Sequence, residues 1–352
     1  MRKLNVVYAN MRQLRYVIPL PEHAAQVTWS RTEESGSDVV VYFNGYSYVG
    51  EKTHVNPSAF RILYIAEPLV VWPRHFLSSF WPPFDAILTW SAALVEQGGP
   101  FHYFPTVHYD YPFAAMHGFV ATACRPQQWQ LRRRAIVQVA GNKYSFMPSE
   151  LYSRRRSIAS WFNRKGRTPL DTYGVPGMRV PRYQGPTHDK KETLSAYRFA
   201  LCTENESHPL WSRGYVTEKI FDCFHAFTVP IYLGATDIER HVPADCFIDL
   251  RRFQSLVELD TFLQDMNDET FAGYLCAIES FLRDDQAPSK YSCFRLYETA
   301  LRVADEPKAD RPAPCFGFWE KATPKEKAAC LLMLGALPVH KAIFGSRYAG
   351  TR

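Results

Sequence analysis

Glu218 and Lys219 stand side by side just after Thr217, at the head of an apolar segment with helical spacing. A carboxylate can accept both hydroxyls of a ribose, and an ammonium beside free helix N–H groups can hold a diphosphate. The pair therefore suits a nucleoside diphosphate. A second acid, Glu67, follows the apolar run Ile62 to Ile65 and precedes Pro68. A lone carboxylate just past a buried strand faces a cleft.

Strands and helices must bring these groups together. Phe199 to Thr203 is a short apolar strand that ends in Glu204, Asn205 and Glu206. The following helix has Val216, Ile220, Phe224 and Phe227 at helical spacing, with Thr217, Glu218 and Lys219 in its first turn. A second strand, Val229 to Leu233, comes next. Strand, crossover helix and strand form a parallel unit, and such sheets bind ligands beyond the carboxyl ends of their strands. Glu218 and Lys219 sit where that ligand would lie.

The wording of this block resembles the donor motif of the α1,3-fucosyltransferases of glycosyltransferase family 10, roughly F-x-L-x-F-E-N, then Y-V-T-E-K, then T-V-P-I-x-x-G. The matching residues are Phe199, Leu201, Glu204, Asn205, Tyr215, Val216, Thr217, Glu218, Lys219, Thr228, Val229, Pro230, Ile231 and Gly234. The resemblance implies that Glu218 binds the ribose of GDP, Lys219 its phosphates, and Tyr215 and Asn205 further phosphate oxygens. Glu204 and Thr217 complete the implied donor set. The family also places an arginine four residues before an apolar anchor, which Arg154 and Ile158 match. Its implied role is a fork on the β-phosphate, with Arg155 and Arg156 as substitutes on a small shift of register. The words LYIAEP resemble the segment in which a glutamate serves as catalytic base, which makes Glu67 the base candidate. Thr203 stands where an aromatic is usual. The loop ESHPLWSRG, residues 206–214, is longer than in bacterial forms of the motif. The sequon at Asn205 to Ser207 is read as accidental, because a glycan there would block the pocket.

At 352 residues with 46% apolar content, the chain fits two globular domains. No apolar run is long enough to span a bilayer, so a soluble enzyme is expected, with at most weak peripheral membrane contact; because animal members of the family carry an N-terminal membrane anchor, the resemblance implies a bacterial or viral style. Eight cysteines without a C-x-x-C pair or zinc-ligand histidines read as free thiols in a reducing cytoplasm. A net charge of +6 suits an anionic donor. The arginine clusters 132–134 and 154–156 lack aromatic interleaving, which argues against nucleic acid.

Leu4 to Tyr8, Val39 to Phe43, Ile62 to Ile65 and Ala86 to Thr89 read as buried strands of a first α/β half. Ala121 to Arg134 reads as the crossing, Ile136 to Ala140 as the first strand beyond it, and a helix is expected to open near Ser149. Two such halves correspond to the GT-B fold, two Rossmann-like domains facing each other across a cleft. The expected division is an acceptor-side domain over 1–130, a GDP-sugar domain over 131–330, and a helical tail over 331–352.

The implied reaction is inverting transfer of L-fucose from GDP-β-L-fucose to O3 of GlcNAc or Glc in an oligosaccharide, forming an α1,3-fucoside. Glu67 takes the acceptor proton while Lys219, Arg154 and helix N–H groups receive the leaving charge. No D-x-D motif is present, so no metal ligand is assigned and manganese is expected only as a nonspecific aid to the diphosphate. Trp90, Tyr103, Phe104, His108, Tyr109 and Tyr111 are the aromatic candidates for an acceptor wall. The alternatives are the same chemistry with another GDP-6-deoxyhexose, or a noncatalytic nucleotide-sugar or nucleic-acid binder.

Overall fold

The computed structural model describes residues 2–7, 26–45, 55–106, 128–175, 179–284, 290–291, 293–307 and 317–345. His108, Tyr109, Tyr111 and the crossing residues up to 127 lie outside them. Strands β1 (Lys3–Val7), β2 (Gln26–Ser30), β3 (Val39–Phe43), β4 (Phe60–Ile65), β5 (Ala86–Thr89) and β6 (Phe101–Tyr103) form one sheet in the order β2-β1-β3-β4-β5-β6. Strands β7 (Arg133–Ala140), β8 (Leu170–Gly174), β9 (Tyr183–Gly185), β10 (Tyr197–Thr203), β11 (Val229–Leu233) and β12 (Ile248–Asp249) form a second, ordered β12-β11-β10-β7-β8-β9. Every pairing is parallel.

The central strands are buried along their whole length, as in VVVYF of β3 and YRFALCT of β10. Parallel sheets covered on both faces favour such continuous apolar runs over alternation. Strand order reverses direction between β7 and β10, so the segments that leave their carboxyl ends part there and open a crevice. β7 runs on toward helix α1 (Tyr152–Lys165), and β10 leads through a loop to helix α2 (Glu218–His225). Helices α3 (Leu256–Asp265) and α4 (Asp268–Arg283) pack with the core of the second sheet through Leu259, Leu263, Phe271, Leu275 and Ile278.

Helix α5 (Cys293–Asp305) lies within the stretch assigned from sequence to the GDP-sugar half, yet it packs on the first sheet. Leu296, Tyr297, Ala300 and Val303 cover Leu4, Val39, Val41 and Phe43, and the Trp29 indole donates to Tyr297 Oη at 2.7 Å. Helix α6 (Pro324–Gly345) opens before residue 331 and also joins the first half, inserting Ala329 and Cys330 beside Phe76 and Trp211. Buried apolar residues of each helix thus share a core with the first half. Among the described residues no helix is long and apolar enough to cross a membrane.

Candidate active site

Glu67 lies two residues beyond the end of β4. Asn44, in the left-handed backbone region at φ 56°, turns its amide oxygen toward the N–H groups of Ala66 and Glu67, at 2.8 and 3.0 Å. The Trp90 indole donates to the Ala66 carbonyl at 3.2 Å. The turn that carries Glu67 is thus fixed on both sides. Burial pushes the Glu67 carboxyl above the usual range, opposed by Lys143 and then Lys219, with Glu218 and Glu204 adding to the rise. The acid of the first half therefore shares its electrostatic surroundings with the charged residues of the second.

At the start of α2, Thr217 is the N-cap and accepts from the Lys219 N–H. Glu204, fully buried at the end of β10, accepts from Thr217 N–H at 2.9 Å, from Thr217 Oγ1 at 2.7 Å and from Lys219 Nζ at 3.1 Å. Both its oxygens are taken up inside the protein. Glu204 accordingly orients the helix start and its lysine and does not face a ligand directly, a difference from the donor role read from the motif. Gly234 permits this arrangement, since a Cβ there would lie 2.4 Å from Glu204 Cγ. Lys219 Nζ is also 2.8 Å from Thr217 Oγ1 and 3.5 Å from Glu218 Oε1. Burial alone would lower the Lys219 pKa, but Glu204, Glu218 and Glu67 together raise it. Its charge is secure, and Glu218 beside it remains exposed.

Asn205 and Tyr215 meet each other, the amide donating to the Tyr215 hydroxyl at 3.2 Å. Both are buried, and the Tyr215 ring packs on Trp90 with centroids 4.7 Å apart. Helix α1 begins at Tyr152, a few residues later than expected. Arg154 is exposed on it and has no hydrogen bond or ion pair among the described residues. Arg155 is buried, donates to the Gly141 carbonyl at 2.6 Å and stacks over Tyr152. Arg156 donates to the Lys143 carbonyl at 2.8 Å. The two neighbours are thus engaged with the protein, whereas Arg154 is not. Of the aromatic wall, Trp90 and Phe104 are core residues and Tyr103 is exposed. Sequence reasoning passed over Lys143, Asn44 and Tyr152, all of which adjoin Glu67 or the turn that bears it. Lys143, three residues past the end of the expected strand Ile136 to Ala140, was the most visible of the three.

The loop 206–214 joins the halves. Trp211 is buried against Phe76 of the first half, the Arg213 carbonyl accepts from Ala92 N–H at 3.2 Å, and the Arg213 guanidinium pairs with Glu96 at 2.9 Å. Gly214 closes the loop at φ +85°, where a Cβ would stand 2.2 Å from the Trp90 carbonyl oxygen. Gly214→Ala is therefore expected to destabilise the protein by at least about 1–3 kcal/mol from backbone strain, before the clash is counted. Thermal or denaturant unfolding checks this; an unchanged midpoint would mean the loop adapts.

Two parallel α/β sheets facing each other, with charged groups gathered at the strand ends, define the GT-B type of glycosyltransferase fold. Residues 144–281 match the family described as "Glycosyltransferase family 10 (fucosyltransferase) C-term". The chain is similar to human 4-galactosyl-N-acetylglucosaminide 3-alpha-L-fucosyltransferase FUT6, 40% identical over 109 residues, or 30% of this chain and 28% of the relative. It is equally similar to human 3-galactosyl-N-acetylglucosaminide 4-alpha-L-fucosyltransferase FUT3, at 40% over 109 residues, covering 30% and 27%. The match thus spans just over a quarter of the length of these relatives. Among solved structures, an alpha1,3-fucosyltransferase with GDP superposes with a TM-score of 0.56 at 18% identity, covering 88% of this chain and 93% of that one. An alpha-glucosyltransferase (AGT) in complex with UDP gives 0.51 at 10% identity, covering 87% and 100%. Both share the fold.

Proposed function

We propose that this protein is an inverting fucosyltransferase that moves L-fucose from GDP-β-L-fucose to O3 of GlcNAc or Glc in an oligosaccharide. The observation that carries the reading is the approach of Glu67, from the first half, to the Lys219 and Glu218 pair at the head of α2. A base on one wall and a fixed cation on the other are what displacement at an anomeric carbon needs. Glu218 takes the ribose hydroxyls, Lys219 the phosphates and Arg154 the β-phosphate. Tyr215 and Asn205, paired with each other, add further phosphate contacts. Glu67 accepts the proton of the acceptor hydroxyl while its oxygen bonds to the anomeric carbon. The bond from that carbon to the β-phosphate breaks, GDP leaves, and the configuration inverts. Free Cys202, Cys223, Cys246, Cys276 and Cys330 fit a reducing cytoplasm. We divide the two sheets into an acceptor side and a donor side near residue 130.

Incubation with GDP-fucose and a panel of N-acetyllactosamine, lacto-N-biose and lipopolysaccharide tests the proposal. Fucose on N-acetyllactosamine supports an α1,3 linkage, because its galactose occupies O4; product on lacto-N-biose alone would redirect it to O4. Competition by another GDP-6-deoxyhexose that is itself transferred faster would replace fucose as the donor sugar. GDP that neither binds nor is released with any acceptor would overturn the reading.

A further inference from the structure

Glu206 opens the loop 206–214 and is fully buried between the two halves. One carboxylate oxygen accepts from Ser149 Oγ at 3.0 Å and the other from the Val70 N–H at 3.3 Å. The nearby Leu69 N–H also favours its charged form. Residue 206 also bridges to Glu150 through the backbone, and Ser207 N–H donates to the Ser149 carbonyl at 3.0 Å. The acid is therefore anchored in the second half while it grips the first half's chain three residues after Glu67. Pro68 lies between, and its ring fixes the local backbone torsion, so a displacement at Leu69 passes to Glu67 with little slack. Ser145 Oγ strengthens the same seam by donating to the Val70 carbonyl at 3.1 Å.

We propose that Glu206 is a positioning residue that sets the place of Glu67 relative to the donor pocket by holding the Val70 N–H group. The proposal rests on the reading of Glu67 as the base of fucosyl transfer. Asn44 holds the front of the same turn from within its own half, so the turn is clamped from both domains. Isolating a carboxylate from water is costly unless its bonds are made. Burial pushes the Glu206 carboxyl up to about 7, against Ser149 and the Val70 and Leu69 N–H groups, which lower it, and Glu326, which raises it. Tyr152 also faces it, and His208 is bound to Glu326 at 2.9 Å.

Glu206→Ala is expected to lower kcat about tenfold to a hundredfold, the scale of a small misplacement of a reacting group, while leaving the GDP affinity near that of the parent. Glu206→Gln should restore turnover, because its amide oxygen accepts from the Val70 N–H and its nitrogen can donate to Ser149 Oγ. Amide hydrogen exchange gives a readout that does not depend on activity. The Val70 amide should exchange about tenfold faster in Glu206→Ala, the ratio one hydrogen bond is worth, and keep its protection in Glu206→Gln. If Glu206→Ala does not fold, Glu206→Asp, one methylene too short, should show the same direction in both measurements. Unchanged kcat with lost protection, or unchanged protection, overturns the proposal. Loss of GDP binding in step with kcat overturns it too, since the residue would then be supporting the whole donor half. If the parent protein transfers no fucose, the proposed function fails, and hydrogen exchange still decides whether the clamp exists.

Discussion

Replacing Glu67 with glutamine is expected to lower fucosyl transfer by about 10²–10⁴-fold while GDP binds as before. The residue belongs to the first half and is held there by Asn44, so the amide should keep the turn's geometry. Its pKa is raised, chiefly by burial, so the acid limb of the rate profile should lie above the ordinary carboxylate range and vanish in the mutant. The same shift fixes the sign of the stability change. A carboxyl whose pKa is higher folded than unfolded favours the fold while protonated, and that contribution is lost as pH rises through the folded value. Glu67→Gln should therefore raise the Tm at neutral pH and leave it unaltered in acid. Near-normal transfer by the mutant would dismiss Glu67 as the base. Loss of GDP binding as well would assign it to domain closure.

Lys219→Ala should weaken GDP binding tenfold to a hundredfold, corresponding to a charged hydrogen bond of roughly 1.5–3 kcal/mol. It should also lower the Tm, because Glu204 is left buried without its cation. Both effects follow from one truncation, and a second change separates them. Adding Glu204→Gln to Lys219→Ala removes the uncompensated charge, so stability should recover while GDP affinity does not. Calorimetry and thermal unfolding on the three proteins give the comparison. Equal GDP affinity in the parent and Lys219→Ala would take Lys219 out of the donor site.

The central strands were legible because parallel sheets buried on both faces write continuous apolar runs, as VVVYF and FALCT do. The strands β2, β6, β8, β9 and β12 were not singled out; they lie toward the sheet edges, and QVTWS or FHY carries too few apolar residues to stand out. The head of α2 could be read because its charges sit together in sequence. What surrounds Glu67 could not, since Asn44, Lys143, Tyr152 and Glu206 come from four separate segments that only tertiary packing assembles. Glu204 shows the limit in another way. Its place in the motif is plain, but only the bonds to Thr217 and Lys219 reveal that it faces inward. Two members of the proposed aromatic wall show the same limit: composition cannot tell a stacking wall from a core, and Trp90 and Phe104 belong to the core.

The seating of α5 and α6 on the first sheet has a consequence for the order of events during synthesis. The Trp29 to Tyr297 bond joins residues 268 apart, and the side chains of α5 that pack with Leu4, Val39 and Val41 are made late. The second sheet, by contrast, finds its covering helices α1 to α4 within its own stretch of chain, before residue 284. Contacts of such different reach do not form together. The second half can consolidate while the nascent first half still lacks the α5 side chains of its core, a state that invites chaperone binding. The half made first is thus the half finished last.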